Sequence, residues 1–454
     1  MVSNRMTANL ELTRLAAGDL RHRIDRGEIR AVEVAEAHLE AIHAREGEVR
    51  AWTFLDPDHV MLQARMLDSL RSSGRPTGPL HGIPVGVKDI IDTRDMPTCN
   101  GTPLDAGRRP QEDAFIVSRL REAGAIVMGK TATTELAVMN PCDTRNPHDP
   151  RRTPGGSSSG SAAAVAASMV PLAIGTQTNG SVIRPASFCG VVGYKPSRGT
   201  ISRRGILVQS PALDSVGVFA RSVDDAALLG DVLAVYDERD PAMRPTARPQ
   251  LAEGAAAPPP LAPVLAFVPS PVWDRAEPAT REAFGELRDE LGDGIDQVDL
   301  PEPFDRAHGL HRTIMLTDIA RNFSRYAERG RDQLSPLLQG MIDEGRTLLA
   351  VDYSLALDWT EVLNSALDRI FDRYDAIVTP ATTGEAPVGL TTTGDPVFCT
   401  IWTYCGVPAI TLPLLQGENG LPVGVQLVGR RGGDARLLRT ASWLMRRFGI
   451  VTPQ

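Results

Sequence analysis

One stretch constrains this chain more than any other. Thr153 to Gly190 reads TPGGSSSGSAAAVAASMVPLAIGTQTNGSVIRPASFCG: a Gly/Ser loop, an Ala-rich helix, a short apolar strand and a second Gly/Ser turn. Glycines permit sharp turns and close backbone approach, and several N–H groups in one tight turn can converge on a developing oxyanion. Ser181 sits in that second turn. A serine hydroxyl is a weak nucleophile until a base removes its proton, and no histidine lies nearby in the sequence. An isolated Gly/Ser run is ordinarily a flexible linker. The flanking strand and helix, with Lys88 and Ser157 upstream, set this one apart.

Around it the chain reads as α/β. Leu10 to Arg50 spaces its apolar residues at helical intervals, with Asp19, Glu28 and Glu33 near helix starts, and predicts two or three helices. Ile83 to Val87, Ala125 to Met128 and Val170 to Ile174 are short apolar runs separated by the helical stretches Asp113 to Glu122 and Ser161 to Ser168. Such alternation argues for a layered α/β fold. Arg244 to Pro263, with its AAAPPP run, is expected to hold neither helix nor ladder and to form a surface linker. Glu277 to Tyr374 is mostly helical, with EPATREAFGELRDEL and DYSLALDWTEVLNSALDRIFDRY as its clearest amphipathic segments. Strand signals return in DAIVTPA, PAITLPL and GVQLVG, before a last helix near Ala435 to Arg447. The expected organisation is one domain over 1–454: N-terminal helices 1–75, a core 76–235, a linker 236–263, a helical insertion 264–375 and a return to the sheet 376–454.

Composition removes several function classes. With 454 residues and 42% hydrophobic content the chain can bury a large core. Its formal charge of −8 argues against a nucleic-acid partner, which needs a concentrated basic face that Arg151-Arg152 does not make. No window approaches the roughly eighteen apolar residues of a membrane span, and no secretory h-region is visible. The five cysteines, Cys99, Cys142, Cys189, Cys399 and Cys405, are scattered without a C-x-x-C pair, which fits a reducing cytoplasm. The histidines form neither H-E-x-x-H nor a zinc spacing with cysteine, so neither metal nor cofactor is expected.

The segments GGSSSGS, G-T-x-T-x-G-S-x-I-R-P-A and F-C-G resemble the hallmark stretch of the amidase signature family. HGIPVGVKDIID resembles the family's lysine segment, and LDSVGVFARSVDDAALL and GVPAITLP…GLPVGVQLVG resemble its later blocks. The likeness runs along nearly the whole chain and is weakest from about Tyr236 to Tyr374. It implies an α/β/α sandwich around a mixed, mostly parallel twisted sheet. It also implies a triad in which Ser181 is the nucleophile, Ser157, after a cis peptide at Gly156, relays the proton, and Lys88 is the base. The backbone N–H groups of Thr178, Asn179, Gly180 and Ser181 would form the oxyanion hole of an acyl-enzyme mechanism. Lys88 follows the apolar run IPVGV, and burial there would lower its pKa so that it can act as a base. The family usually has Gly where this chain has Asn179; asparagine tolerates positive φ, and its side chain would then crowd or contact the substrate.

Further site candidates are Met139, Cys142, Gln177, Arg184, Phe398, Thr400 and Trp402, with Arg184 either binding an anionic substrate group or serving the structure. Asp89 reads as a structural acceptor. Two motif matches read as accidental. GAIVMGKT, Gly124 to Thr131, fits a phosphate loop letter for letter, but its apolar half reads as a buried strand. Gly156 to Gly160 fits G-x-S-x-G without the strand that should precede it, and the histidine it needs would be His308 or His311, both in a helical stretch. The expected function is hydrolysis of a small-molecule amide or carbamate. A glutaminase-like subunit of a tRNA-dependent amidotransferase, or an esterase or urethanase with incidental amidase activity, remain alternatives. A homodimer rests on the resemblance alone.

Overall fold

The computed structural model describes residues 10–449; the two ends of the expected 1–454 span lie outside the described residues. Eleven strands form one sheet: β1 Trp52–Leu55, β2 Pro84–Lys88, β3 Ile126–Thr131, β4 Leu172–Gln177, β5 Val192–Lys195, β6 Ser215–Ala220, β7 Leu265–Phe267, β8 Ile295–Gln297, β9 Ala376–Pro380, β10 Ala409–Gln416 and β11 Pro422–Val428. Their order is β1-β3-β2-β4-β6-β5-β10-β11-β9-β7-β8.

The sheet is mixed, as expected, but not mostly parallel. Only β2–β3, β2–β4, β7–β8 and β7–β9 run parallel. The remaining pairings, β1–β3, β4–β6, β5–β6, β5–β10, β10–β11 and β9–β11, are antiparallel. The reason is local for β10 and β11: the short turn between them leaves no room for the crossover that a parallel pair requires.

Both faces of the sheet are covered, which explains the continuous apolar runs in the sequence. Alternate residues of β3 enter different clusters: Val127 packs with Val85, Val87 and Ile174, while Ile126 and Met128 pack with Ala162, Ala163 and Ala164. A third cluster joins Ile314, Phe323, Leu363 and Trp402 to Ile377 and Val428 near the other end of the sheet. Among the described residues no helix is long and apolar enough to cross a membrane.

Three segments depart from the sequence reading. The region expected to be only N-terminal helices also contains β1, paired with β3. The segment expected to be a helical insertion contributes β7 and β8; these three-residue strands are too short to show a two-residue period. The linker holds the helix Leu251–Ala256, whose Leu251 and Ala255 are buried one turn apart. Pro249 precedes this helix and the proline run starts at Pro258, so the intervening residues keep the N–H groups a helical turn needs.

The fold places the serine-rich stretch at the C-terminal ends of β2 and β4, which are hydrogen-bonded neighbours, with Val87 opposite Ile174. The helix Ser159–Ala166 leads toward β4 and consists of Ser, Gly, Ala and one Val, so it can press closely on the strands. Gly160 is its tightest point, with its N–H donating to the Ala132 carbonyl at 2.9 Å. A Cβ added there would lie 2.2 Å from the Ala51 carbonyl oxygen and 2.4 Å from the Ala132 nitrogen. Backbone atoms cannot swing away as a side chain can. Gly160→Ala should therefore lower stability by about 1–3 kcal/mol, the usual range for overpacking. Urea unfolding followed by circular dichroism will show a lower midpoint, and an unchanged midpoint would contradict this account of the packing.

Candidate active site

Lys88 is the last residue of β2 and is completely buried. Its Nζ lies 2.8 Å from Ser157 Oγ, 2.9 Å from Thr176 Oγ1 and 3.0 Å from Ser158 Oγ. All three partners are hydroxyls. Burial pulls its pKa down to about 7, against weaker upward pulls from Asp214 and Cys142.

Each hydroxyl around the amine is itself placed by the backbone. Ser157 follows a cis peptide from Gly156, as the resemblance implies. Ser158 Oγ donates to the Thr176 carbonyl at 3.2 Å and accepts the Thr176 N–H at 3.2 Å. That approach needs Gly175, since a Cβ there would stand 2.5 Å from Ser158 Oγ. With its proton committed to a carbonyl, Ser158 can only accept from Lys88. Ser157 and Thr176 have no such commitment, so their hydroxyl protons are free to move.

β4 runs directly into the turn 178–182 that carries Ser181, which is 8% exposed, and the helix Ile183–Cys189 follows. Side chains from several elements fix this turn. Gln177 Oε1 accepts the N–H groups of Val182 and Ile183 at 2.8 and 3.0 Å, while its Nε2 donates to Thr403 Oγ1 at 2.8 Å. Thr403 donates onward to the Asn179 carbonyl at 2.5 Å. Asp214 accepts from Thr178 Oγ1 at 2.6 Å and from the N–H groups of Gln209 and Ser210. Burial raises its carboxyl to about 6. His311, its ring depressed to about 4 by burial, donates to the Thr178 carbonyl at 3.0 Å. Among the described residues, the backbone N–H groups of Asn179, Gly180 and Ser181 donate to no protein acceptor. These groups are free to meet an oxyanion.

Two candidates behave differently from the sequence reading. Asn179 does not adopt a positive φ, so its conformational tolerance is not used. Its Oδ1 instead accepts from Thr400 Oγ1 at 2.8 Å, which ties the side chain to the helix Val397–Tyr404. Gln177, expected at the substrate, spends both ends of its amide inside the protein, where these contacts hold the turn. Arg184 is buried and donates to the carbonyls of Gly156 and Gly394 and to Thr393 Oγ1. Burial lowers its pKa to about 10. These contacts clamp the peptide beside Ser157.

Met139 and Cys142 are half-buried in the segment after β3, with Cys142 Sγ donating to Thr144 Oγ1 at 3.3 Å. Phe398 and Trp402 are buried, and Trp402 belongs to the apolar cluster with Ile314 and Phe323. Asp89 accepts the Cys99 N–H, as a structural acceptor would. Lys130 of the phosphate-loop look-alike is buried in β3, so its backbone is committed to the sheet. His308 and His311 do lie in a helix, Ala307–Gly330. Sequence reasoning missed Ser158, Thr176, Asp214, Thr403 and His311. Ser158, Thr176 and Asp214 lay inside segments already singled out, Thr403 lies beside the candidate Trp402, and His311 had been weighed only as a partner for the G-x-S-x-G look-alike.

The amidase family profile matches residues 33–438. A glutamyl-tRNA(Gln) amidotransferase subunit from Salinispora arenicola is 34% identical, covering 98% of this chain and 99% of its own. Among solved structures, a peptide amidase from Stenotrophomonas maltophilia superposes with a TM-score of 0.82 at 30% identity, covering 96% of this chain and 97% of its own. A 6-aminohexanoate cyclic dimer hydrolase complexed with substrate superposes with a TM-score of 0.85 at 26% identity, over the same shares. Together with the lysine and serine arrangement above, these likenesses give one conclusion: the chain belongs to the amidase signature family of hydrolases acting on C–N bonds.

Proposed function

We propose that the chain hydrolyses small carboxamides or carbamates through an acyl-enzyme on Ser181, with Ser157 as the proton relay and Lys88 as the base. The observation that carries this reading is the Lys88 amine, buried within hydrogen-bond reach of hydroxyls only. When it is neutral, Ser157 can donate to its lone pair, which frees the Ser157 oxygen to take the Ser181 proton during attack. The same path reversed delivers a proton to the leaving amine. The N–H groups of Thr178, Asn179, Gly180 and Ser181 would stabilise the tetrahedral intermediate. Five cysteines without disulfides agree with a cytoplasmic setting.

A second reading, a glutaminase-like subunit that supplies ammonia to a partner, has the likeness to the amidotransferase protein in its favour. Glutamine carries two charges beside its side chain, and a site for it should present matching charges. Met139, Cys142, Asn179, Phe398 and Thr400 carry none, and the guanidinium of Arg184 is engaged with Gly156, Gly394 and Thr393. We therefore favour the free-standing hydrolase of uncharged amides. Glutamine turnover together with co-purification of a second protein would reverse that preference.

Release of nitroaniline from an acetanilide and from the matching aryl carbamate tests the reaction. The wild type should cleave at least one of the pair, and Ser181→Ala and Lys88→Ala should each lose about 10⁴-fold or more in kcat. Ester turnover that survives Lys88→Ala while amide turnover vanishes would instead indicate an esterase.

The pH dependence follows from the state Lys88 must occupy. As the base it must be neutral, so protonation below about 7 removes activity. The profile of kcat/KM should climb about tenfold per pH unit on the acid side and level off above about 7. A profile flat from acid to alkaline pH would rule out Lys88 as the base.

A further inference from the structure

The side-chain amide of Asn179 has one end tied and one end free. Oδ1 accepts from Thr400 Oγ1 at 2.8 Å, and Thr400 is buried on the helix Val397–Tyr404. The other acceptor near that hydroxyl, the Pro396 carbonyl, is farther off at 3.2 Å. Nδ2 donates to no acceptor among the described residues and, unlike the buried polar atoms left without partners, has accessible surface. Asn179 itself is half-buried, two residues before Ser181. The turn is closed elsewhere. His311 covers the Thr178 carbonyl and Thr403 the Asn179 carbonyl, and a Cβ on Gly180 would lie 3.0 Å from Pro396 Cβ and 3.2 Å from Cys399 Sγ. The open space is therefore the side on which the unpaired N–H groups of Asn179, Gly180 and Ser181 stand.

Which part of a substrate meets Nδ2 follows from what must surround the carbonyl carbon. Its oxygen takes the unpaired N–H groups of the turn. Its leaving nitrogen must face Ser157 and Lys88 to regain a proton. Lys88 draws its partners from Ser157, Ser158 and Thr176, and none from the helix Val397–Tyr404. The Asn179 side chain is held by that helix, away from the proton path and beside the remaining substituent, the acyl group. A donor fixed there is matched by an oxygen attached directly to the carbonyl carbon.

We infer that Asn179 is a specificity determinant for carbamates, its Nδ2 donating to the alkoxy oxygen on the scissile carbonyl. The inference rests on the hydrolase reading above and narrows its substrates from carboxamides or carbamates to carbamates. In a free carbamate the lone pairs of that oxygen are delocalised into the carbonyl, which makes it a poor acceptor. Attack by Ser181 Oγ turns the carbon tetrahedral and ends the delocalisation. The hydrogen bond therefore strengthens toward the transition state and raises kcat more than it lowers KM.

The test uses methyl N-(4-nitrophenyl)carbamate and N-(4-nitrophenyl)propanamide, which release the same nitroaniline and differ only in O against CH₂. With the carbamate, Ser181 Oγ bonds to the carbonyl carbon and the C–N bond breaks. Nitroaniline leaves with the proton relayed through Ser157, and water then releases the methoxycarbonyl group from Ser181 as monomethyl carbonate. Comparing the carbamate-to-amide ratio of kcat between wild type and variants cancels both the intrinsic reactivity of the substrates and the fraction of protein folded. Asn179→Leu, which keeps the size without the donor, should lower that ratio about three- to tenfold, the range of a lost neutral hydrogen bond, and change the ratio of KM little. Thr400→Val, which frees Oδ1 and lets the amide turn, should lower it in the same direction. An equal loss on both substrates in Asn179→Leu would make the amide one more oxyanion donor and overturn the inference. A ratio unchanged or raised in either variant, or wild type cleaving the propanamide alone, would also overturn it while the hydrolase reading stands. If wild type releases nitroaniline from neither substrate, the reading and the inference fall together.

Discussion

The site depends on keeping an amine out of water without pairing it to a carboxylate. Taking a full ammonium charge into a protein interior costs several kcal/mol even after relaxation, and the usual escape is a shift in pKa. Lys88 takes that escape, its pKa brought down to about 7 by burial. The three hydroxyls around it suit both protonation states. A protonated Nζ can donate to all of them, while a neutral Nζ can accept from Ser157. Because neither state leaves a buried group unpaired, the proton can move without the surroundings rearranging.

The turn at 178–181 is the counterpart of that arrangement, and it follows the same economy. An oxyanion is stabilised by donors already in place, whose reorganisation cost was met when the protein folded. Here the turn is held through its carbonyls and side chains. Thr403 donates to the Asn179 carbonyl, His311 to the Thr178 carbonyl and Thr400 to the Asn179 amide oxygen. Gln177 holds the exit of the turn by accepting from Val182 and Ile183. These supports come from β4 and from two helices distant in sequence, Ala307–Gly330 and Val397–Tyr404. The helix Ala307–Gly330, from the segment expected to be a helical insertion, is therefore part of how the site is shaped.

That division explains what the sequence disclosed. The serines, the lysine and the tight turn were legible because local chemistry demands them: glycines for close approach, hydroxyls for proton transfer and an apolar run before the buried amine. The strands around Lys88 and Ser181 were legible for a similar reason, being long enough and apolar enough to show. What stayed hidden depends on contacts made at long range. His311 is an ordinary helical residue until the fold brings it to Thr178, 133 positions away. Asn179 suggested a backbone role because asparagine tolerates positive φ, yet its actual partner, Thr400, is 221 positions away. β1, β7 and β8 span three or four residues each and take their identity from the strands beside them.

Burial alone does not single out Lys88, because two other lysines are buried as completely. Lys195 donates to the carbonyls of Pro196 and Val407 at 2.8 and 2.7 Å, and burial lowers its pKa to about 8. Carbonyl oxygens accept and never donate, so these partners hold a proton in place and cannot exchange one. Lys130, also lowered to about 8 by burial, donates to the Ile91 carbonyl at 2.5 Å and has Asp89 Oδ1 at 3.8 Å. Acceptors again favour its charged form, even with Thr98 close by. Lys88 alone of the three is bonded solely to hydroxyls, groups that can both take and give a proton. The same side chain, buried to the same degree in one fold, is a structural cation at two positions and suited to act as a base at the third, and the difference lies in the partners that each backbone brings to it.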